Sequence, residues 1–114
     1  MVTIEQARKL ALSLPEVEEK SHFHIPDFRV KNKIFATIHA DKNYMMVSLS
    51  LIDQSVFRSF DKEIIFPVPG GWGLKGAAFI NLKKVRKSML KDALTTAWKR
   101  VAPPKMTEKY FEKD

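Results

Sequence analysis

The sequence predicts an α+β domain of two layers, an antiparallel sheet of about five strands with helices on one face, in the order α-β-β-β-α-β-β-α. Three observations lead there. Apolar residues recur at helical spacing near both ends of the chain, the residues between them alternate with a period of two and are punctuated by turn signals, and the βαβ alternation that marks a parallel sheet is missing. A chain of 114 residues, 45% hydrophobic and 29% charged, has the size and composition of one self-sufficient core. Residues 1–105 are expected to form that domain and residues 106–114 a C-terminal tail.

Thr3 and Gln6 form a capping-box pair, and Ile4, Ala7, Ala11 and Leu14 then follow at helical spacing until Pro15 stops the first helix. From Lys20 to Lys31, Phe23 and Ile25 alternate with His22 and His24, the pattern breaks at Pro26-Asp27, and Phe28 and Val30 resume it, which reads as one bent or interrupted strand. Asn32-Lys33 connects to a strand with Ile34, Ala36, Ile38 and Ala40 on one face. Asp41-Lys42-Asn43 then turns into Tyr44 to Ser50, completing a three-stranded meander. Ile52, Val56, Phe57 and Phe60 predict a short second helix over 51–60. Glu63 to Val68 and Ala77 to Leu82 are expected to pair as a hairpin with a long tip at Gly70-Gly71-Trp72-Gly73. The longest helix is expected over 82–101, with Leu90, Leu94, Ala97, Trp98 and Val101 as its stripe and Met89 and Ala93 at the margin, ended by Ala102-Pro103-Pro104. Met106 to Asp114, with Tyr110 and Phe111 among charges, reads equally as a frayed tail or a short docking turn.

The absence of cysteine rules out disulfides, thiolate metal sites and a cysteine nucleophile. No basic-then-apolar leader opens the chain and no window approaches the ~18 apolar residues of a membrane span, so a cytoplasmic, monomeric protein without membrane association or bound cofactor is expected. His22 and His24, two apart on a strand, would share a face, and His39 on a neighbouring strand is a conceivable third metal ligand, but nothing in the pattern defines the set. Glu16, Glu18 and Glu19 read as a solvated loop. Gly70 to Gly76 lacks the Ser/Thr after Lys75 that a phosphate-cradling loop needs, and it leads into a strand. Trp72 and Lys75 instead suit a wing that meets nucleic acid by stacking and cation contact, against the alternative that Trp72 folds back onto the core.

The net charge of +7 is unevenly placed. Residues 1–60 hold 8 Lys/Arg against 7 Asp/Glu and residues 61–114 hold 12 against 6. Lys83, Lys84, Arg86 and Lys87 crowd the expected start of the last helix, where each opposes the macrodipole by about 0.3–1 kcal/mol and where a bound phosphate would reverse that cost. A merely solvated helix face is the competing account.

Leu14-Pro15 with its acidic sequel, Phe28-Arg29-Val30, Lys33-Ile34-Phe35-Ala36, Gly71-Trp72 ahead of a strand, and a basic last helix ending in Val101-Ala102-Pro103 together resemble the MmcQ/YjbR family in order and spacing. The resemblance implies a fold similar to the CyaY-like and secretion-chaperone-like two-layer domains, and a DNA-binding role through a double-wing motif. The chain departs from that pattern where acidic residues are common in relatives and it carries Asn81, a candidate cap, followed by Lys83, Lys84, Arg86 and Lys87. The basic helix start is therefore not carried over as a family site. The leading expectation is a non-enzymatic DNA-binding protein using Lys75, Lys83, Lys84, Arg86 and Lys87, assisted by Arg29, Lys31 and Lys33 and by Trp72. A chaperone-like module that binds an acidic protein partner is the second, and a small-molecule or metal enzyme using the histidines the third.

Overall fold

A computed structural model describes residues 1–111, with His22 and Phe111 defined by backbone alone. The elements run α1 (Ile4–Leu12), β1 (Glu18–His22), β2 (Ile25–Val30), β3 (Lys33–His39), β4 (Tyr44–Ser48), α2 (Leu51–Phe60), β5 (Ile65–Pro67), α3 (Gly71–Leu74), β6 (Ala77–Asn81), α4 (Lys87–Val101) and α5 (Pro104–Phe111). All six strands join one antiparallel sheet in the order β1-β2-β3-β4-β6-β5. The architecture is the α+β one expected, with a sixth strand and two further short helices.

The alternation of each strand divides the sheet into two faces. Phe28, Ala36, Val47 and Ala78 share one row, Ile38, Met45, Ile80 and Ile65 the next, and all eight are buried beneath the helices. α4 closes this face with Leu90, Ala93, Leu94, Ala97 and Trp98, and α1 packs beside it through Ala7 and Ala11. Trp98 is fully buried and its indole Nε1–H donates to the Pro15 carbonyl at 3.1 Å, so the turn after α1 is fastened to the middle of the core. The capping box at Thr3 and Gln6 forms as the sequence predicts.

Four local expectations are revised. Lys20 to Lys31 is not one bent strand, because Phe23 and His24 both adopt positive φ (52° and 65°) and turn β1 back onto β2. This is the backbone of a two-residue hairpin turn, normally announced by Asn-Gly or Asp-Gly, so the residue types hid it. The connection into β3 likewise turns at Lys31 and Asn32 (φ 49° and 69°) rather than at Asn32-Lys33. The last long helix begins at Lys87, not Leu82. Asn81 does not cap it: its Oδ1 accepts from the Lys83 N–H at 3.0 Å and its carbonyl from Lys84 and Val85, which makes a turn ahead of the helix. Finally, the glycine-rich tip between β5 and β6 is built around α3. Of the tail, Met106 and Tyr110 on α5 pack against the core, the Tyr110 ring lying 5.1 Å from that of Trp98, and residues 112–114 lie outside the described residues.

Candidate nucleic-acid interface

The register sorts the nine residues that the sequence singles out into separate places. The starts of β3 and β6 and the end of β4 lie at one end of the sheet, so Lys31 on the β2–β3 connection, Lys33 at the start of β3, and Trp72 and Lys75 on and after α3, share that end. Lys83, Lys84, Arg86 and Lys87 follow β6 at the other end, beside the β3–β4 turn, to which the Leu82 N–H is tied through the Asn43 carbonyl at 2.9 Å. The five residues of β6, which span about 14 Å at ~3.4 Å per step, lie between the two groups. Lys83 and Lys84 lie in the turn before α4, Arg86 immediately precedes the helix and Lys87 is its first residue. No side chain caps that helix and its first turn holds no carboxylate. Among the described residues Lys84 meets Glu63 at 3.4 Å and Lys31 meets Glu16 at 3.4 Å, while Lys33, Lys75, Lys83, Arg86 and Lys87 have no carboxylate within ion-pair distance.

Arg29 belongs to neither group. Its Nε and Nη2 donate to the two oxygens of Asp27 at 2.7 and 3.0 Å, and the hydrogen bond to Asp27 raises the guanidinium pKa against the opposing effect of burial. Asp27 is 1% exposed, so the arginine is the counterion of a buried carboxylate on the uncovered face of the sheet.

That uncovered face holds what the sequence did not announce. Thr37, Met46, Phe79 and Phe66 form one row across β3, β4, β6 and β5, with His39 and Tyr44 paired in the next. Tyr44, Phe66 and Phe79 contact one another with ring centroids 5.3 to 6.2 Å apart, and His39 meets Phe79 edge-on at 5.2 Å. At one side a cavity of about 320 Å³ opens between Ile34, Thr37, His39, Met46, Phe79 and Trp72. Thr37 Oγ1 and His39 Nε2 lie 2.9 Å apart at this wall, and burial lowers the His39 pKa below its ordinary value. Trp72 does not fold back onto the core: it stands at the rim, 72% exposed.

Local chemistry fixes that tryptophan in place. A Cβ on Gly73 would run into the Val68 carbonyl oxygen and one on Gly76, at φ +116°, into that of Leu49, so both positions require glycine. The buried Gln54 of α2 donates from Nε2 to the carbonyls of Gly73 and Ala77, both at 2.9 Å, bracketing α3 between two hydrogen bonds.

A family model described as YjbR matches residues 12–100 of the chain. The chain belongs to the YjbR family. The matched span of the YjbR domain runs from the end of α1 to the last turn of α4 and includes every candidate residue above. A Deinococcus radiodurans protein solved by crystallography, with the family domain DUF419, superposes with a TM-score of 0.75 at 16% identity, covering 96% of this chain and 88% of that one, so the two share a fold. No curated protein matches the chain.

The three histidines that the sequence singles out lie on separate elements. His24 sits exposed in the β1–β2 turn, and His22 and His39 belong to β1 and β3 with β2 between them, about 10 Å apart at ~4.8 Å per strand. No group of three metal-binding side chains occurs among the described residues. No helix among them is long and apolar enough to cross a membrane.

Proposed function

We propose that this YjbR protein binds DNA by neutralising backbone phosphates, with binding rather than catalysis as its activity. The observation that carries this reading is the cationic corner after β6, where Lys83, Arg86 and Lys87 gather with Lys84 at an uncapped helix start and only Lys84 has a carboxylate partner. Cations crowded at the positive end of a helix repel one another, and a polyanion relieves that repulsion. The β2–β3 turn and α3, with Lys31, Lys33 and Lys75, lie at the other end of the sheet and are the candidates for the two wings, Lys31 being held on the helix side by Glu16. Arg29 is reassigned from phosphate contact to holding Asp27.

The test is fluorescence anisotropy of a labelled random duplex across a salt series. Log K is expected to fall linearly with log salt. Replacing Lys83, Lys84, Arg86 and Lys87 together by Ala should weaken binding and flatten the slope by up to about 3.6, at ~0.9 per phosphate released. Unchanged binding by the folded variant would sink the assignment.

A second reading has one observation in its favour. On α2, Ile52 and Phe60 are 78% and 66% exposed, so the helix presents apolar side chains outward, as a protein-interaction module does. Co-purification of a single protein partner that survives nuclease treatment and is lost on Ile52→Ser with Phe60→Ser would favour this reading over DNA.

A further inference from the structure

We infer that the DNA this protein takes is single-stranded and that one unpaired base seats in the cavity on the open sheet face, against Trp72. The inference rests on the DNA-binding reading above and specifies its substrate.

The cavity, about 320 Å³, lies at the small end of the roughly 300–1,000 Å³ range of ligand pockets, suited to a single ring system. Its walls are apolar where Phe79, Met46 and Trp72 face it, and polar at the Thr37 hydroxyl and His39 imidazole, 2.9 Å apart, and at Ser48, whose hydroxyl accepts from Arg100. A nucleobase has the matching character, two apolar faces and an edge of donors and acceptors. Burial favours the neutral form of His39, and with its Nε2 already on the Thr37 hydroxyl the pair keeps one ring nitrogen and the remaining hydroxyl capacity for a base edge.

The position of the cations selects DNA over another planar ligand. Lys75 follows Trp72 at one end of β6 and Lys83 stands at the other, with the rings of Phe79 and Tyr44 between them on the open face. A strand laid along β6 therefore meets a cation at each end and, between them, the half-buried Tyr44 over a Phe79 that is 8% exposed, with Trp72 as the ring open to stacking, the combination that holds single strands. A duplex keeps its bases paired inside and has none to offer a recess without the cost of flipping one out. Trp72 is well placed for the stacking role, since α3 is fixed by Gly73, Gly76 and Gln54 while the indole is left 72% exposed.

The experiment compares a labelled oligothymidylate with a duplex of equal length by anisotropy at matched salt, for the wild type, Trp72→Ala and Thr37→Val. Circular dichroism verifies the fold of each variant. The expected result is tighter binding of the single strand, a loss of about tenfold or more in single-strand affinity in Trp72→Ala, a smaller loss in Thr37→Val, and little change in duplex binding. Quenching of tryptophan emission by the oligonucleotide, removed in Trp72→Phe, would place the base at this residue. Duplex binding equal to or tighter than single-strand binding, or full single-strand affinity in a folded Trp72→Ala, overturns the inference while leaving phosphate binding intact. Failure of both nucleic acids to bind at low salt overturns the two readings together.

Discussion

Both faces of the sheet carry large apolar side chains, and helices cover only one of them. On the covered face Trp98 is buried, hydrogen-bonded to Pro15 and in contact with Tyr110. On the open face Trp72 is anchored by its backbone while its ring is left in solvent. The same residue type thus serves cohesion in one place and presentation in the other, and what separates the two is the surroundings. Trp98 lies on the buried stripe of a 15-residue helix, whereas Trp72 lies on a four-residue helix held by glycines that admit close backbone contact.

Substitutions that act on the two faces should separate these roles. Trp98→Ala is expected to cost about 3–5 kcal/mol through the cavity it leaves, measured by urea unfolding. Gly76→Ala should cost roughly 1–3 kcal/mol, because a Cβ meets the Leu49 carbonyl at a backbone conformation of φ +116°. It should also weaken any function of Trp72, by displacing α3. A wild-type unfolding midpoint in Gly76→Ala would mean that the strand start relaxes freely.

Acidification gives a smaller effect and bears on the open face. Burial lowers the folded-state pKa of His39, so the unfolded chain binds the proton more readily. Stability attributable to this group is fully present above its ordinary value of 6.5 and is lost as pH falls from there through the lower folded-state pKa. A thermal-unfolding series across that window should show the decline in the wild type and a shallower one in His39→Phe. At the bottom of the scale, Trp72→Ala should change stability by no more than about 0.5 kcal/mol, and a larger loss would place its ring in the packing after all.

The covered face was legible in the sequence because burial there is written as periodicity. The stripe from Leu90 to Trp98 and the alternation of Ala36 and Ile38 both point to the side that is buried. The open face was not, since Thr37, His39, Tyr44, Met46 and Phe79 are neither uniformly polar nor a recognisable motif, and they become a surface only when register aligns three strands. The first hairpin was missed for a different reason. Phe23 and His24 hold positive φ without the residues that favour it, so nothing local divided β1 from β2. The cationic cluster was legible as composition but not as geometry: the Asn81 turn delays the helix by five residues, and the register sends Lys75 and Lys83 to opposite ends of the sheet.

The sheet stops at β1 on one side and β5 on the other. A strand with no neighbour offers unpaired backbone groups to any passing chain, and an open aromatic face beside it would make such an encounter adhesive. Here the rim is guarded: β1 carries Glu18, Glu19 and Lys20 in succession, with Glu19 held by Arg8 of α1 at 2.7 Å, and β5 is three residues long and ends in Pro67. An incoming strand would have to bury those charges at β1, and at β5 it would find little ladder to extend. The protein can therefore leave its aromatic surface uncovered without adding its sheet to another copy's.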